Sequence, residues 1–175
     1  MIPVRVASIA IDTRGQHVVL LKPIGEEPGQ GKVLPIWIGA AESASILIAI
    51  EGSTPPRPLS HDLMRELLDA VGSEVTGVAV TRIEDGTYYA ELTVRTPTGT
   101  TVIDCRPSDA IALASRLGAP LALADEVLED AGVADDFTGE PDETPDASES
   151  PEDAEARVAE FREFLEHIDP EDFQG

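Results

Sequence analysis

The chain has 175 residues, 42% of them hydrophobic and only 4% aromatic, enough for one sizeable core but short for two ordinary domains. Its formal net charge of −22, from 34 acidic and 12 basic residues, argues against holding duplex nucleic acid tightly by phosphate neutralisation, which depends on Lys and Arg displacing counterions. The opening Met-Ile-Pro-Val-Arg-Val has no basic-then-apolar leader pattern, the longest apolar run (Ala44 to Ile50) is interrupted by Ser45, and the lone Cys105 cannot close an intramolecular disulfide. A cytoplasmic protein without a membrane span is expected, with Cys105 as a small buried hydrophobe.

In chain order, the first third reads as strands. Val4, Val6, Ile9 and Ile11 alternate with a break, Arg14-Gly15 marks a turn, and His17 to Lys22 and Val33 to Ile38 are β-branched apolar runs. Gly25 to Gly31 is a loop. A helix follows from Ala40 to Ile50, with Gly52 to close it and Ser53-Thr54-Pro55-Pro56 to forbid its continuation. The next helix starts at Ser60, whose hydroxyl is placed to cap it, and Leu63, Met64, Leu67, Leu68 and Val71 recur at helical spacing before Gly72.

Three strands come next: Val75 to Ile83, Thr87 to Thr96 and Thr100 to Cys105, joined by Asp85-Gly86 and by Pro97-Thr98-Gly99. Pro107 opens a third helix with Ala110, Leu113, Ala114 and Leu117 as its apolar stripe and Gly118 at its end. A short strand, Leu121 to Ala124, and a short helix, Glu126 to Ala131, close the body. The expected architecture is α+β: a mixed, mostly antiparallel sheet packed with helices in a single compact domain, followed by a C-terminal helix.

The charge divides unevenly along this plan. Residues 1–133 hold 18 acidic and 10 basic residues, a net −8, whereas residues 134–175 hold 16 and 2, a net −14. Residues 134–152 are expected to form a disordered acidic linker, because so few large apolar groups cannot offset the entropy of ordering. Residues 153–175 are expected to form an amphipathic helix and tail, with Val158, Phe161, Phe164, Leu165 and Ile168 on one face.

Familiar catalytic signatures are missing: there is no phosphate-binding glycine loop, no Gly-x-Ser-x-Gly and no His-Glu-x-x-His. The candidate chemistry lies in three polar clusters at helix starts. Asp104, Arg106, Ser108 and Asp109 gather where a strand ends and a helix begins, an arrangement in which two carboxylates can share a divalent cation while the arginine holds a phosphate. In the structural alternative, Asp109 is a helix-dipole partner and Asp104 pairs with Arg106. Arg57-Pro58-Leu59-Ser60-His61-Asp62 offers an imidazole beside a carboxylate, suited to a base or ligand and equally to a first-turn surface role. Glu42 is the third candidate, as a carboxylate facing the others or as a dipole partner. Trp37 is expected in the core or in a subunit interface.

Three strings, taken together, resemble the bifunctional nuclease domain family: Leu34-Pro35-Ile36-Trp37-Ile38-Gly39 with Glu42, then Arg57-Pro58-Leu59-Ser60-His61-Asp62-Leu63, then Asp104-Cys105-Arg106-Pro107-Ser108-Asp109-Ala110-Ile111-Ala112. The match covers roughly residues 2 to 133, and Asp169-Pro170-Glu171-Asp172-Phe173 is similar to tails that often follow the domain. The resemblance implies a self-associating α+β domain, most simply a dimer, with the DNase and RNase activity ascribed to some members. Joined to the residue reading, it suggests a nuclease using Mg²⁺ or Mn²⁺. Glu42, His61, Asp62, Asp104 and Asp109 would act as ligands or bases, with Glu42, Asp104 and Asp109 on the metal. Arg57, Arg106 and Ser108 would meet nucleic acid. The rival expectation is a non-catalytic oligomeric module that binds a small anion or a protein partner at the same helix starts.

Overall fold

Two three-stranded antiparallel meanders are joined side by side by a short strand that follows both in the chain. The computed structural model describes residues 1–12 and 14–135. The first meander is β1 (Ile2–Ile11), β2 (His17–Pro23) and β3 (Lys32–Ile38); the second is β4 (Glu74–Glu84), β5 (Thr87–Thr96) and β6 (Gly99–Cys105). Between them lies β7 (Leu121–Leu123), antiparallel to β1 and parallel to β4, while β8 (Val133–Ala134) lines the outer edge of β3. The strand order β6-β5-β4-β7-β1-β2-β3-β8, with β4 and β7 the one parallel pair, is the mixed, mostly antiparallel sheet of an α+β fold.

Local sequence accounts for much of this. The broken alternation of β1 is a register shift between Val6 and Ser8, where the strand bulges against β2. Asp85 and Gly86, at φ 49° and 77°, form the left-handed pair that turns β4 tightly into β5. After β6, α3 (Pro107–Leu117) crosses to β7, which satisfies the long connection a parallel pair needs.

The helix α3 is the hub. Ala110, Ile111, Ala112, Leu113 and Ala114 are buried, and α1 (Ala40–Ile50) and α2 (Ser60–Ala70) both pack on it while its other side meets β4 and β5. Its stripe of small alanines permits close approach on several sides. The core continues through Val19, Leu21, Leu34, Val80 and Leu123 of the sheet and Val127 of α4 (Asp125–Ala131).

Three details correct or go beyond the sequence reading. Ser60 does not cap α2: the cap is Leu59, and the Asp62 carboxylate accepts from its backbone N–H at 2.8 Å. The longer reach of an acid at the third position serves the helix opening better than a hydroxyl one residue inside it. Secondly, α1 turns Ser43 and Ser45 inward and leaves Leu47 and Ile50 outside, since each buried serine receives a histidine ring. Thirdly, residues 134 and 135, assigned to the linker, pack with the body. Ala134 pairs with Lys32, and buried Asp135 bonds the fully buried Lys22 ammonium and the Gly29 amide. The remainder of the expected linker and the expected C-terminal helix lie outside the described residues.

Candidate functional site

The first turns of three helices open on one cavity of about 620 Å³, lined by Glu42 from α1, Leu59, Ser60 and His61 at the start of α2, and Arg106 and Asp109 at the start of α3. Helix openings carry unsatisfied N–H groups and a partial positive charge, so three of them around one space favour an anion there. Pro107 at the first position of α3 fixes the angle at which Arg106 enters.

A continuous polar chain crosses this cavity. Arg106 donates to both oxygens of Asp109, from Nε at 2.7 Å and Nη2 at 2.9 Å, and its Nη1 lies 3.0 Å from Glu42 Oε1. His61 Nε2 sits 3.2 Å from Asp109 Oδ1, and His61 Nδ1 sits 2.9 Å from the Ser45 hydroxyl. An ionised carboxylate only accepts, so in the neutral ring Nε2 carries the proton and Nδ1 accepts from Ser45. The connectivity Asp109, His61, Ser45 is that of a carboxylate orienting an imidazole whose free nitrogen takes a hydroxyl proton.

The electrostatics follow the contacts. The Arg106 guanidinium holds the Asp109 carboxyl below its ordinary range despite partial burial, with His61 adding to the effect. Asp109 in turn, helped by Glu42, raises the Arg106 pKa further above its usual value. Glu42 folds back over Gly39, where an added Cβ would meet its carboxylate, so a side chain at that helix opening would make Glu42 shift from its present position.

Of the residues expected from sequence, Glu42, His61, Arg106 and Asp109 come together here. Asp62 does not face the cavity: it accepts from Leu59 and from Arg116 Nε, and these contacts lower its pKa, the Leu59 amide most. Asp104 is exposed on β6 opposite Glu91 and lines neither this cavity nor its neighbour. Arg57 is likewise exposed and outside both. Ser108 lines the neighbouring cavity.

The expected metal set of Glu42, Asp104 and Asp109 is therefore not assembled. Arg106 stands between Glu42 and Asp109, Asp104 is elsewhere, and among the described residues no group of three or more His, Cys, Asp or Glu side chains is placed to hold an ion.

Two residues that the sequence reading passed over belong to the architecture. Ser45 contacts His61, and its signal was its position as a polar residue in an apolar helical run. Arg116, in the last turn of α3, grips Asp62 and the Ser45 carbonyl, with no local signal to announce it.

Fold and cavity together define an α+β domain with a polar site at three helix openings. The Bifunctional nuclease domain model matches residues 19–136, and the chain belongs to that family. An uncharacterised protein of Mycobacterium tuberculosis is 37% identical over 173 residues, 98% of each chain. Bifunctional nuclease 1 of Arabidopsis thaliana is 33% identical over 98 residues, 54% of this chain and 30% of the plant protein. Bifunctional nuclease 1 of Oryza sativa subsp. japonica is 29% identical over 113 residues, 63% of this chain and 33% of its own. Among the described residues no helix is long and apolar enough to cross a membrane.

Proposed function

We propose that this chain hydrolyses phosphodiester bonds of DNA or RNA in the cytoplasm, with the cavity at the three helix openings as the reacting site. The observation that carries the reading is the junction of a phosphate-binding group with a proton-accepting one: Arg106 and His61 meet on the two sides of Asp109. The helix openings and Arg106 receive the phosphate. Attacking water passes a proton to the Ser45 hydroxyl as Ser45 passes its own to His61 Nδ1, and Asp109 stabilises the imidazolium that forms. The departing oxygen then takes a proton from the imidazolium through Ser45, which returns His61 to its neutral form. Among the described residues no side chains are grouped to hold Mg²⁺ or Mn²⁺, so the steps above are written on the chain's own residues alone.

The test is incubation of highly purified protein with single-stranded DNA and RNA, with Mg²⁺, with Mn²⁺ and with chelator. Cleavage is expected to fall by roughly 10²- to 10⁴-fold in His61→Ala, the usual range for a general base. In Arg106→Ala it is expected to fall at least about tenfold, for a lost charged hydrogen bond. Cleavage undiminished in both variants assigns the activity to a contaminant and ends the proposal. Binding of oligonucleotide without cleavage would favour the anion-binding module instead.

A further inference from the structure

A second cavity, of about 440 Å³, adjoins the first and shares Arg106 with it. Its walls differ in kind. Trp37 and Tyr88 supply aromatic surface, while Thr87 and Ser108 supply polar atoms. From the geometry we infer that this cavity is a nucleobase subsite: it takes a base of single-stranded nucleic acid against Trp37 while the attached phosphate meets Arg106.

Several observations carry this assignment. Trp37, expected in a core or an interface, is 53% exposed at the end of β3, although a tryptophan in an apolar strand ordinarily turns inward. Its ring is held rather than loose, because Nε1 donates to Asp12 Oδ2 at 3.0 Å across the β1–β2 turn. A fixed, exposed indole beside a cavity is a preformed stacking surface. Ser108 is only 6% exposed, lines the same cavity, and makes no side-chain hydrogen bond among the described residues. A hydroxyl in the cavity wall can donate or accept, and the edge of a base supplies the matching acceptors and donors.

Electrostatics point the same way. With a net −8 over residues 1–133, backbone neutralisation cannot supply most of the affinity, and stacking must contribute it. A stacked base has to leave its duplex, which selects single strands, loops and ends. The cavity volume falls within the range of small-ligand sites.

This inference rests on the reading of Arg106 as the phosphate anchor, and it can be tested without turnover. Trp37 is the only tryptophan, so its fluorescence reports this cavity alone. Titration with adenosine 5′-monophosphate is expected to change the emission saturably, and inorganic phosphate at equal concentration is expected not to. By calorimetry, Trp37→Ala should weaken the mononucleotide by roughly 5- to 150-fold, the range measured for loss of one base–aromatic stack, while Trp37→Phe should retain most of the binding. An identical response to phosphate alone overturns the subsite, as does full retention of binding in Trp37→Ala. So does failure of acrylamide to quench Trp37 in the unliganded protein, because the ring would then be covered by a second copy of the chain. The two readings fail separately: cleavage with an unresponsive Trp37 removes the subsite and leaves the nuclease, whereas mononucleotide binding with no cleavage of any strand does the reverse.

Discussion

Arg116 Nε lies 2.7 Å from Asp62 Oδ1, so the residue that follows His61 is tied to the far end of α3. The Arg116 side chain is 4% exposed, and its Nη1 also donates to the carbonyls of Ser45 and Ala112. One guanidinium thus holds α1 and α2 on α3 and steadies the imidazole from two sides, through Asp62 next to His61 in the chain and through the backbone of its partner Ser45.

Truncation at Arg116 is therefore expected to act on stability and site together. Arg116→Ala leaves the Asp62 carboxylate without its cation and should destabilise the fold by about 3 kcal/mol, the lower end for broken buried pairs. Denaturant unfolding checks this through a lowered midpoint at unchanged slope. Arg116→Lys keeps the charge but cannot reach all three acceptors, and should recover part of the loss.

Acid should loosen the same junction. The carboxyls of Asp62 and Asp109 are both held below their ordinary range in the folded chain, by the Leu59 amide and Arg116 in one case and by Arg106 in the other. A depressed folded pKa contributes stability that is complete above the unfolded value, near pH 4, and is lost as pH falls through the folded value beneath it. Unfolding midpoints measured from pH 7 to pH 2.5 should thus fall mainly below about pH 4. In Asp62→Asn and Asp109→Asn that acid-limb fall should be shallower, from a lower plateau at neutral pH. An unchanged acid limb in both variants would contradict the assignment.

These contacts mark where the sequence was legible and where it was not. The Asp85-Gly86 turn, the Pro107 helix start and the break in β1 each have a local cause, so local reading found them. The three polar clusters were each visible as helix openings, but their meeting depends on α1 and α2 both docking on α3, and no short-range signal encodes that. Asp104 and Asp109 illustrate the difficulty. Five residues apart, they stand on different elements, and the end of β6 directs them to different surroundings. Arg116 and Asp62 are 54 residues apart, so their bond belongs to tertiary structure alone. The apolar pattern of α2 was read correctly as a stripe but not as exposed, because the buried residue of that helix is the polar His61.

That exposure supports self-association. Leu67 and Val71 of the α2 stretch are 57% and 63% exposed, and Leu63, Met64, Leu47 and Ile50 are exposed as well. Apolar surface of this kind on a small domain marks an interaction site. Light scattering at micromolar concentration is expected to report a dimer, and Leu67→Glu to shift it toward monomer without loss of helical signal. A monomeric wild-type protein would refute this expectation.

Cys105 should be chemically quiet. Burial pushes its thiol up to about 11, with Asp104, Asp109 and Glu91 adding to the shift, and its Sγ donates weakly to the Ala90 carbonyl at 3.5 Å. At pH 8 the thiolate fraction is then at least about a hundredfold below that of an ordinary cysteine near pKa 8.5. Reaction with an aromatic disulfide reagent should be slower by a similar factor in native protein and become ordinary on unfolding. Fast native labelling would mean that the β5–β6 edge opens readily.

Glu42 poses the sharpest question about the site, because it competes with any phosphate for Arg106. The guanidinium already spends Nε and Nη2 on Asp109, and Nη1 faces Glu42 at 3.0 Å, so an arriving anion must displace one of the two acids. Glu42 is the easier to move: it makes a single contact, whereas Asp109 is held at two points by Arg106 and by His61 besides. Removing its charge should help the anion in, and Glu42→Gln is expected to bind a non-hydrolysable oligonucleotide roughly tenfold more tightly, as loss of one charged competitor allows. Gly39→Ala should act in the same direction, since the new methyl group would force the Glu42 carboxylate from its present position. The gain should shrink at high salt, where exposed charges are screened. If Glu42→Gln instead weakens binding, Glu42 holds Arg106 in place for the phosphate; if binding is unchanged, the anion enters elsewhere than Arg106.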